Sequence, residues 1–297
     1  MRQDTALTLK KAVERSERIN VEDAQAMLAQ SELVGRLLTD PKQKPRTFAG
    51  LRAYEWRLLE LSEIPFAHTL DKVQAWLGML VDKTYIGEGF SLRGNKDGLL
   101  ACHNALITTI LMRLGYEDKA KIDAGIDWIL AYQSVARGVE CPWSGKDLFT
   151  KYGGCMKKTP CFYGVVQSMV TLTEYKGRFG STEALDRKLN QGVDYILQHR
   201  GFKRLSVDEP IEPSIIQNFY PYTYKTNLIE VLSLLKANER LGDAHCDEAL
   251  DILRQGRRPD GFWQADVSYM KSAWVEFDPL RKPGPWISYV IGRILED

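Results

Sequence analysis

From Leu51 onward the apolar residues recur mostly at three- and four-residue intervals, the spacing that lays a stripe along an α-helix. Almost no stretch alternates with the period of two that marks a half-buried strand. The pattern predicts an all-α protein. It also repeats. Cys102-His-Asn-Ala-Leu-Ile-Thr-Thr-Ile-Leu111 superposes without a gap on Cys161-Phe-Tyr-Gly-Val-Val-Gln-Ser-Met-Val170, and the segment from Tyr224 to Leu232 gives a third copy with Tyr224 in place of the cysteines. A second helix is expected after each copy, with a recurring centre: Ile126-Asp127-Trp128-Ile129-Leu130, Val193-Asp194-Tyr195-Ile196-Leu197 and Leu250-Asp251-Ile252-Leu253. A fainter earlier copy runs from Val73 to Leu80. The unit is a helical hairpin of roughly 50 to 65 residues, and about five such units fit the chain.

Within each unit the first helix is apolar around most of its circumference, as in Leu106, Ile107, Ile110 and Leu111, whereas the second carries charged residues beside its apolar stripe. A helix apolar all round is buried, and an amphipathic one has a face in water. The expectation is an inner and an outer ring of helices, an α/α toroid over residues 51–297. Its inner helices would run parallel, with their N-termini on one rim. Residues 1–50 differ: Ala6 to Arg18 and Val21 to Leu38 look helical but highly charged, and Asp40-Pro-Lys-Gln-Lys-Pro45 is a break. They are expected to form an N-terminal helical arm packed outside the ring.

Composition narrows the class. The 297 residues carry 40 Lys+Arg against 39 Asp+Glu, a formal charge of +1, which gives no reason to expect nucleic acid as a partner. With 44% hydrophobic and 27% charged residues the chain reads as an ordinary globular protein able to bury a core without disulfides. The N-terminus has no apolar core of signal-peptide length, and no uncharged apolar run approaches the roughly 18 residues of a membrane span. A cytoplasmic protein without a transmembrane segment is expected, so the five cysteines, Cys102, Cys141, Cys155, Cys161 and Cys246, read as thiols or metal ligands.

The segment Gln255-Gly-Arg-Arg-Pro-Asp-Gly261-Phe-Trp263 resembles the Gln…Gly-x-Trp signature of squalene and hopene cyclases and their relatives. Its glycine-containing turn would let Trp263 pack across to the next hairpin, and Pro142-Trp143 stands in an equivalent loop of an earlier unit. From Leu99 to Leu295 the chain further resembles small prokaryotic proteins of prenyltransferase-like or terpene cyclase-like type. The matching pieces are Gly154-Cys155-Met-Lys-Lys-Thr-Pro-Cys161-Phe-Tyr-Gly-Val-Val166, Phe219-Tyr-Pro221 through Glu230-Val-Leu232, and Lys282-Pro-Gly-Pro-Trp286. The resemblance implies the toroid and a central cavity for an apolar, isoprenoid-class molecule. Two departures bear on mechanism. The Asp-x-Asp-Asp motif with which such cyclases protonate their substrate is missing, and there is no Asp-Asp pair anywhere. Protein prenyltransferase β subunits hold zinc with Asp, Cys and His on one rim; this chain has metal-capable residues there in a different arrangement.

Cys102 and Cys161 begin successive inner helices, so their backbones should lie about 8 to 10 Å apart on one rim. Cys141 and Cys155 fall in the loop between those units. Four converging thiols suit tetrahedral thiolate coordination of zinc, and helix N-termini favour the thiolate. Unliganded thiols packed as small hydrophobes are the plainer reading. His103 could replace one cysteine, against a surface or capping role; Cys246 lies a unit away, and His68 and His199 read as structural. The aromatics Phe219, Tyr220, Tyr222 and Tyr224 precede the third inner helix, and Tyr220, Tyr222 and Tyr224 are candidates to line a substrate entrance, where π faces stabilise cations. Packing around Pro221 is the alternative. Glu140, Asp97 and Glu230 are acid candidates that also read as caps or solvated charges, and Lys157 and Lys158 could meet a diphosphate or simply form a basic loop.

There is no His-Glu-x-x-His, no phosphate-binding Gly-x-x-x-x-Gly-Lys loop and no Gly-x-Ser-x-Gly elbow, and Gly87-Glu-Gly89 lacks a third glycine and a strand. Two functions remain: a prenyltransferase- or terpene cyclase-like protein with a zinc-bearing rim, or a non-catalytic binding or scaffold toroid that has lost the acid.

Overall fold

The structure is a computed structural model that describes residues 4–139, 141, 143, 158–268 and 275–296. These residues fold into twelve α-helices: α1 (Thr5–Glu14), α2 (Val21–Ala29), α3 (Glu32–Leu37), α4 (Phe48–Ser62), α5 (Asp71–Thr84), α6 (Ala101–Arg113), α7 (Lys119–Tyr132), α8 (Phe162–Phe179), α9 (Glu183–Gln198), α10 (Leu228–Ala237), α11 (Asp247–Gln255) and α12 (Pro285–Leu295). Among the described residues there are no strands, only three isolated bridges. The protein is all-helical. No helix among the described residues is long and apolar enough to cross a membrane.

Side-chain caps start many of these helices. Asp4 accepts from the Ala6 amide, Asn20 from Asp23, Ser31 from Val34, Thr47 from Gly50, Thr182 from Leu185 and Asn227 from Glu230, each filling one of the four amide valences a helix leaves open at its start. α6 has no such cap, and α8, preceded by Cys161 in the cap position, has no side-chain cap bond either.

Burial follows the two-helix unit. In α6, His103 through Met112 are all buried, and α10 buries Leu228 through Leu232 with Leu234 and Leu235. In α7 only Ile122, Gly125, Ile126, Trp128 and Ile129 are buried, and in α11 only Ala249, Leu250 and Leu253. Helix contacts follow the same division. α4, α6, α8, α10 and α12 touch in succession, and α5, α7 and α11 pack on α4, α6 and α10, as α9 does on α8.

Side-chain partners show that the successive helices run parallel. At one end Phe48 of α4 packs edge-on against His103 of α6, and at the other Arg113 of α6 bonds Glu63, just past α4, and Glu174 near the end of α8. Asn238, capping the end of α10, donates to Thr173 of α8 at 2.9 Å, and Lys236 in the last turn of α10 donates to the Arg293 carbonyl of α12 at 2.8 Å. Like ends lie beside like ends along the whole row.

The first and last helices of that row are joined by the N-terminal segment. Lys10 of α1 donates to the Glu63 carbonyl at 3.1 Å, while Glu14 of the same helix accepts from Tyr289 of α12 at 2.7 Å. Arg57 of α4 caps the end of α3 by donating to the carbonyls of Leu37 and Thr39, both at 2.7 Å. Although charged on its outer side, the segment shares the main core: Leu7, Leu9, Leu28, Leu33 and Leu37 are all buried in it.

Two tryptophans tie neighbouring pieces together. Trp263 donates from Nε1 to the Leu253 carbonyl of α11 at 2.7 Å and from its backbone to Ser288 of α12 at 2.8 Å, so it spans two units. Trp143, 1% exposed, packs its ring on Trp128 and Tyr132 of α7.

Candidate functional site

The starts of α4, α6 and α8 and the approach to α10 meet at one end of the row, and this end gathers the reactive groups. On α4, Thr47 caps the helix so that Phe48, Arg52, Glu55 and Trp56 fall on neighbouring turns. The Arg52 guanidinium lies 4.6 Å from the Trp56 ring and 5.4 Å from the Phe48 ring. His103 stands in the first turn of α6, with its ring 6.0 Å from that of Phe48 and 6.0 Å from that of Tyr224. Its Nδ1 is 2.8 Å from both carboxylate oxygens of Glu55. Both residues are buried, His103 at 5% exposure and Glu55 at 0%. A carboxylate aimed at Nδ1 fixes where the ring hydrogen sits and which way Nε2 faces.

Cys102 precedes His103. Burial pushes its thiol well above the ordinary range, and the nearby Cys161 thiol and Glu55 carboxylate push the same way. The structure therefore brings Cys102 and Cys161 within reach of one another's charge. Cys141 lies elsewhere in its local bonding: its Sγ donates to the Tyr132 carbonyl at 3.2 Å, and burial raises its pKa. Cys155 lies outside the described residues, as do Glu140 and Lys157. Among the described residues no group of three or more His, Cys, Asp or Glu gathers where a metal ion could be held. Cys102 and Cys161 thus feel one another's charge, and the described residues alone do not assemble the four-thiol set expected at a zinc site.

The three tyrosines occupy different depths. Tyr224 is half-buried beside His103, with Arg52 in its field. Tyr222 lies deep, where burial and then the Glu63 and Glu230 carboxylates oppose its ionisation. Tyr220, 2% exposed, donates to Glu63 at 2.7 Å and packs against Phe277 and Trp286. It belongs to the wall between α4 and α12, away from the cysteines.

The opposite end of the row carries an ion-pair network. Arg113 bridges Glu63 and Glu174, and Lys10 approaches Glu63 from α1. Burial opposes ionisation of Glu63, but Arg113 and Lys10 outweigh it and hold the carboxyl below its usual value. Between the two ends Glu230 of α10 accepts from Gln167 of α8 at 2.8 Å; burial raises its pKa to about 7 despite that bond.

Cys102, Tyr222 and Arg113 share one further property. Each keeps part of its own surface accessible, 22% of the side chain for Arg113.

Of the other residues singled out in the sequence, Asp97 and Lys158 are exposed. Cys246 is buried with its Sγ 3.6 Å from the Arg240 carbonyl, His199 is bonded through Nδ1 to the Lys203 carbonyl, and His68 stacks on Phe66. Glu55 carried no sequence signal of its own. It sits in a run of helix-forming residues, and only burial on α4 against the start of α6 reveals it. His103, read from sequence between a cap and a ligand, is neither exposed nor a helix cap: the carboxylate of Glu55 lets it be buried.

Comparisons with known protein families, curated proteins and solved structures find no match for this chain.

Proposed function

We propose that the chain is an α/α toroid of prenyltransferase and terpene cyclase type that binds an apolar, isoprenoid-class molecule in its central hollow. The row of parallel buried helices, each but the last followed by a half-exposed return helix, supports the toroid. So does the bridging of α4 and α12 by α1. The observation that carries the binding reading is that Cys102, Tyr222 and Tyr224 keep accessible surface beside the buried His103. The ligand would enter at the end bearing Cys102, His103 and Tyr224, because the other end is occupied by the Arg113 ion pairs. Its body would lie along Tyr222. Pockets for small molecules are typically of this kind, apolar with a few placed polar groups.

Zinc belongs to the same proposal. It would be held by Cys102 and Cys161 together with Cys141 and Cys155, and would order the rim or activate a nucleophile. The buried thiol of Cys102 resists ionisation on its own, so a bound cation is what would make it a thiolate.

The test is binding of an environment-sensitive dye, 1-anilinonaphthalene-8-sulfonate, and its displacement by farnesol, with zinc counted by elemental analysis. Saturable dye binding, competed by farnesol and weakened about tenfold by Tyr222→Trp, supports the reading. Dye binding that is absent, or unmoved by farnesol, leaves the non-catalytic scaffold. Zinc near one per chain, lost in Cys161→Ser, supports the rim site; its absence from protein prepared without chelator removes it.

A further inference from the structure

We infer that the cleft between residues 41–43 and α4 is a binding site for a single small carboxylate, held by the Arg52 guanidinium. The site stands apart from the isoprenoid proposal and does not depend on it.

A cavity of about 50 Å³ lies there, between residues 41–43 and the side of α4 that carries Ala49, Arg52, Ala53 and Trp56. Its walls are anchored. Asp40 pairs with Lys72 at 3.0 Å, Arg57 of α4 holds the Thr39 carbonyl at 2.7 Å, and the Lys44 carbonyl lies so close to Gly50 that a β-carbon on the glycine would overlap it. Within this frame Arg52 is the unsatisfied group. Its guanidinium lies 4.6 Å from the Trp56 ring and 5.4 Å from the Phe48 ring, contacts that restrain it without using its N–H groups. It makes no hydrogen bond or ion pair with a described residue. Its Nε is sealed without an acceptor, as is Nε1 of Trp56, a residue only 7% exposed, whereas the Arg52 Nη groups are not sealed. Arg57 on the same helix shows the contrast, since it bonds Glu60 and the Leu37 and Thr39 carbonyls. Donors thus outnumber acceptors around the cleft. Charge runs the same way: Lys42, Lys44 and Arg46 are exposed without an ion pair to a described residue, Asp40 is engaged by Lys72, and Glu55 faces His103. A restrained guanidinium fork in a positive setting fits a carboxylate bidentately. The cavity has room for the few non-hydrogen atoms of a carboxylate and not for a diphosphate.

The experiment titrates acetate against chloride at constant ionic strength into the whole protein, labelled with ¹⁵N and followed by NMR. The reporters are the Trp56 indole N–H, identified by its loss in Trp56→Phe, and the Arg52 Nε–H, identified by its loss in Arg52→Gln. Acetate should shift both along one saturable curve. Arg52→Gln should abolish the Trp56 shift while the other indole signals stay in place, and Arg52→Lys, which keeps the charge without the fork, should weaken binding several-fold. A wild-type spectrum with no saturable shift at either reporter overturns the inference. A Trp56 shift that survives in Arg52→Gln also overturns it, because the anion would then gather on the lysines alone. Diphosphate that moves both reporters at lower concentration than acetate overturns the carboxylate assignment. None of these readouts involves the dye or farnesol, so this inference and the isoprenoid proposal fail separately.

Discussion

Gly125 of α7 lies so close to Thr108 of α6 that a β-carbon on the glycine would overlap the threonine hydroxyl. The threonine cannot yield. Its side chain is β-branched, and its hydroxyl donates to the Asn104 carbonyl at 2.8 Å. Gly192 of α9 holds the equivalent place in the next unit, two residues before Asp194 as Gly125 is before Asp127, and there the neighbour is the flexible end of Met169. Alanine in a helix gains about 1 kcal/mol over glycine, whereas overpacking a rigid contact costs about 1 to 3 kcal/mol. Gly125→Ala is therefore expected to lower stability by about 1 kcal/mol, and Gly192→Ala to leave it nearly unchanged, because Met169 can swing aside. Urea midpoints of the two variants check this; a higher midpoint for Gly125→Ala would show that the α6–α7 contact is not rigid.

Arg113 pairs with two carboxylates, and without it Glu63 would keep only Lys10 and the Tyr220 hydroxyl. Its side chain is 22% exposed, with Glu63 at 8% and Glu174 at 27%. Removing one partner of such a group leaves charges buried without compensation, a loss of about 3 kcal/mol or more. Arg113→Met should show that loss in chemical denaturation at neutral pH. Arg113→Lys should lose less but not nothing, since an ammonium cannot fork to both carboxylates. Equal stability of Arg113→Met and wild type would mean that the network is solvated.

How much of this was legible in the chain depends on whether a residue's role is local. The hairpin period was readable because each unit restates the same pattern, from Leu106 and Ile107 to Val165 and Val166, and the structure places these on neighbouring buried helices. Cys102 and Cys161 come near each other for that reason. The arm's charged surface concealed its apolar stripe, so its sharing of the core through Leu7, Leu9 and Leu28 was not apparent. Glu55 and Arg113 were invisible for a different reason. A charged residue in a helix reads as solvated until a partner is known, and their partners His103, Glu63 and Glu174 lie 48 to 61 residues away.

Trp263 offers a test of how neighbouring units are joined. Its ring is 7% exposed and its indole N–H reaches the Leu253 carbonyl at the end of α11. Trp263→Phe removes that one bond and should cost about 1 kcal/mol, whereas Trp263→Ala also leaves a cavity and should cost about 3 to 5 kcal/mol. The two losses, read as shifts in thermal midpoint, separate the hydrogen bond from the packing. If Trp263→Phe costs as much as Trp263→Ala, the indole N–H is the whole link.

Glu230 ties stability to pH in a direction opposite to Glu63. Burial raises its folded pKa to about 7, against 4.5 for the ordinary carboxyl. The folded state therefore binds the proton more tightly than the unfolded state does. Its contribution is fully present below about pH 4.5 and is lost as pH rises through about 7, by an amount of order 3 kcal/mol. Glutamine mimics the protonated form and can still meet Gln167, so Glu230→Gln should match the wild type near pH 4.5 and exceed it increasingly up to about pH 7, beyond which the difference is constant. Glu230→Leu would not, because it removes the nearer acceptor of the buried Gln167 amide and leaves it only the Thr223 carbonyl at 3.4 Å. Paired urea titrations of wild type and Glu230→Gln at several pH values read the difference directly. A difference that does not change with pH would mean that water reaches the Glu230 carboxyl.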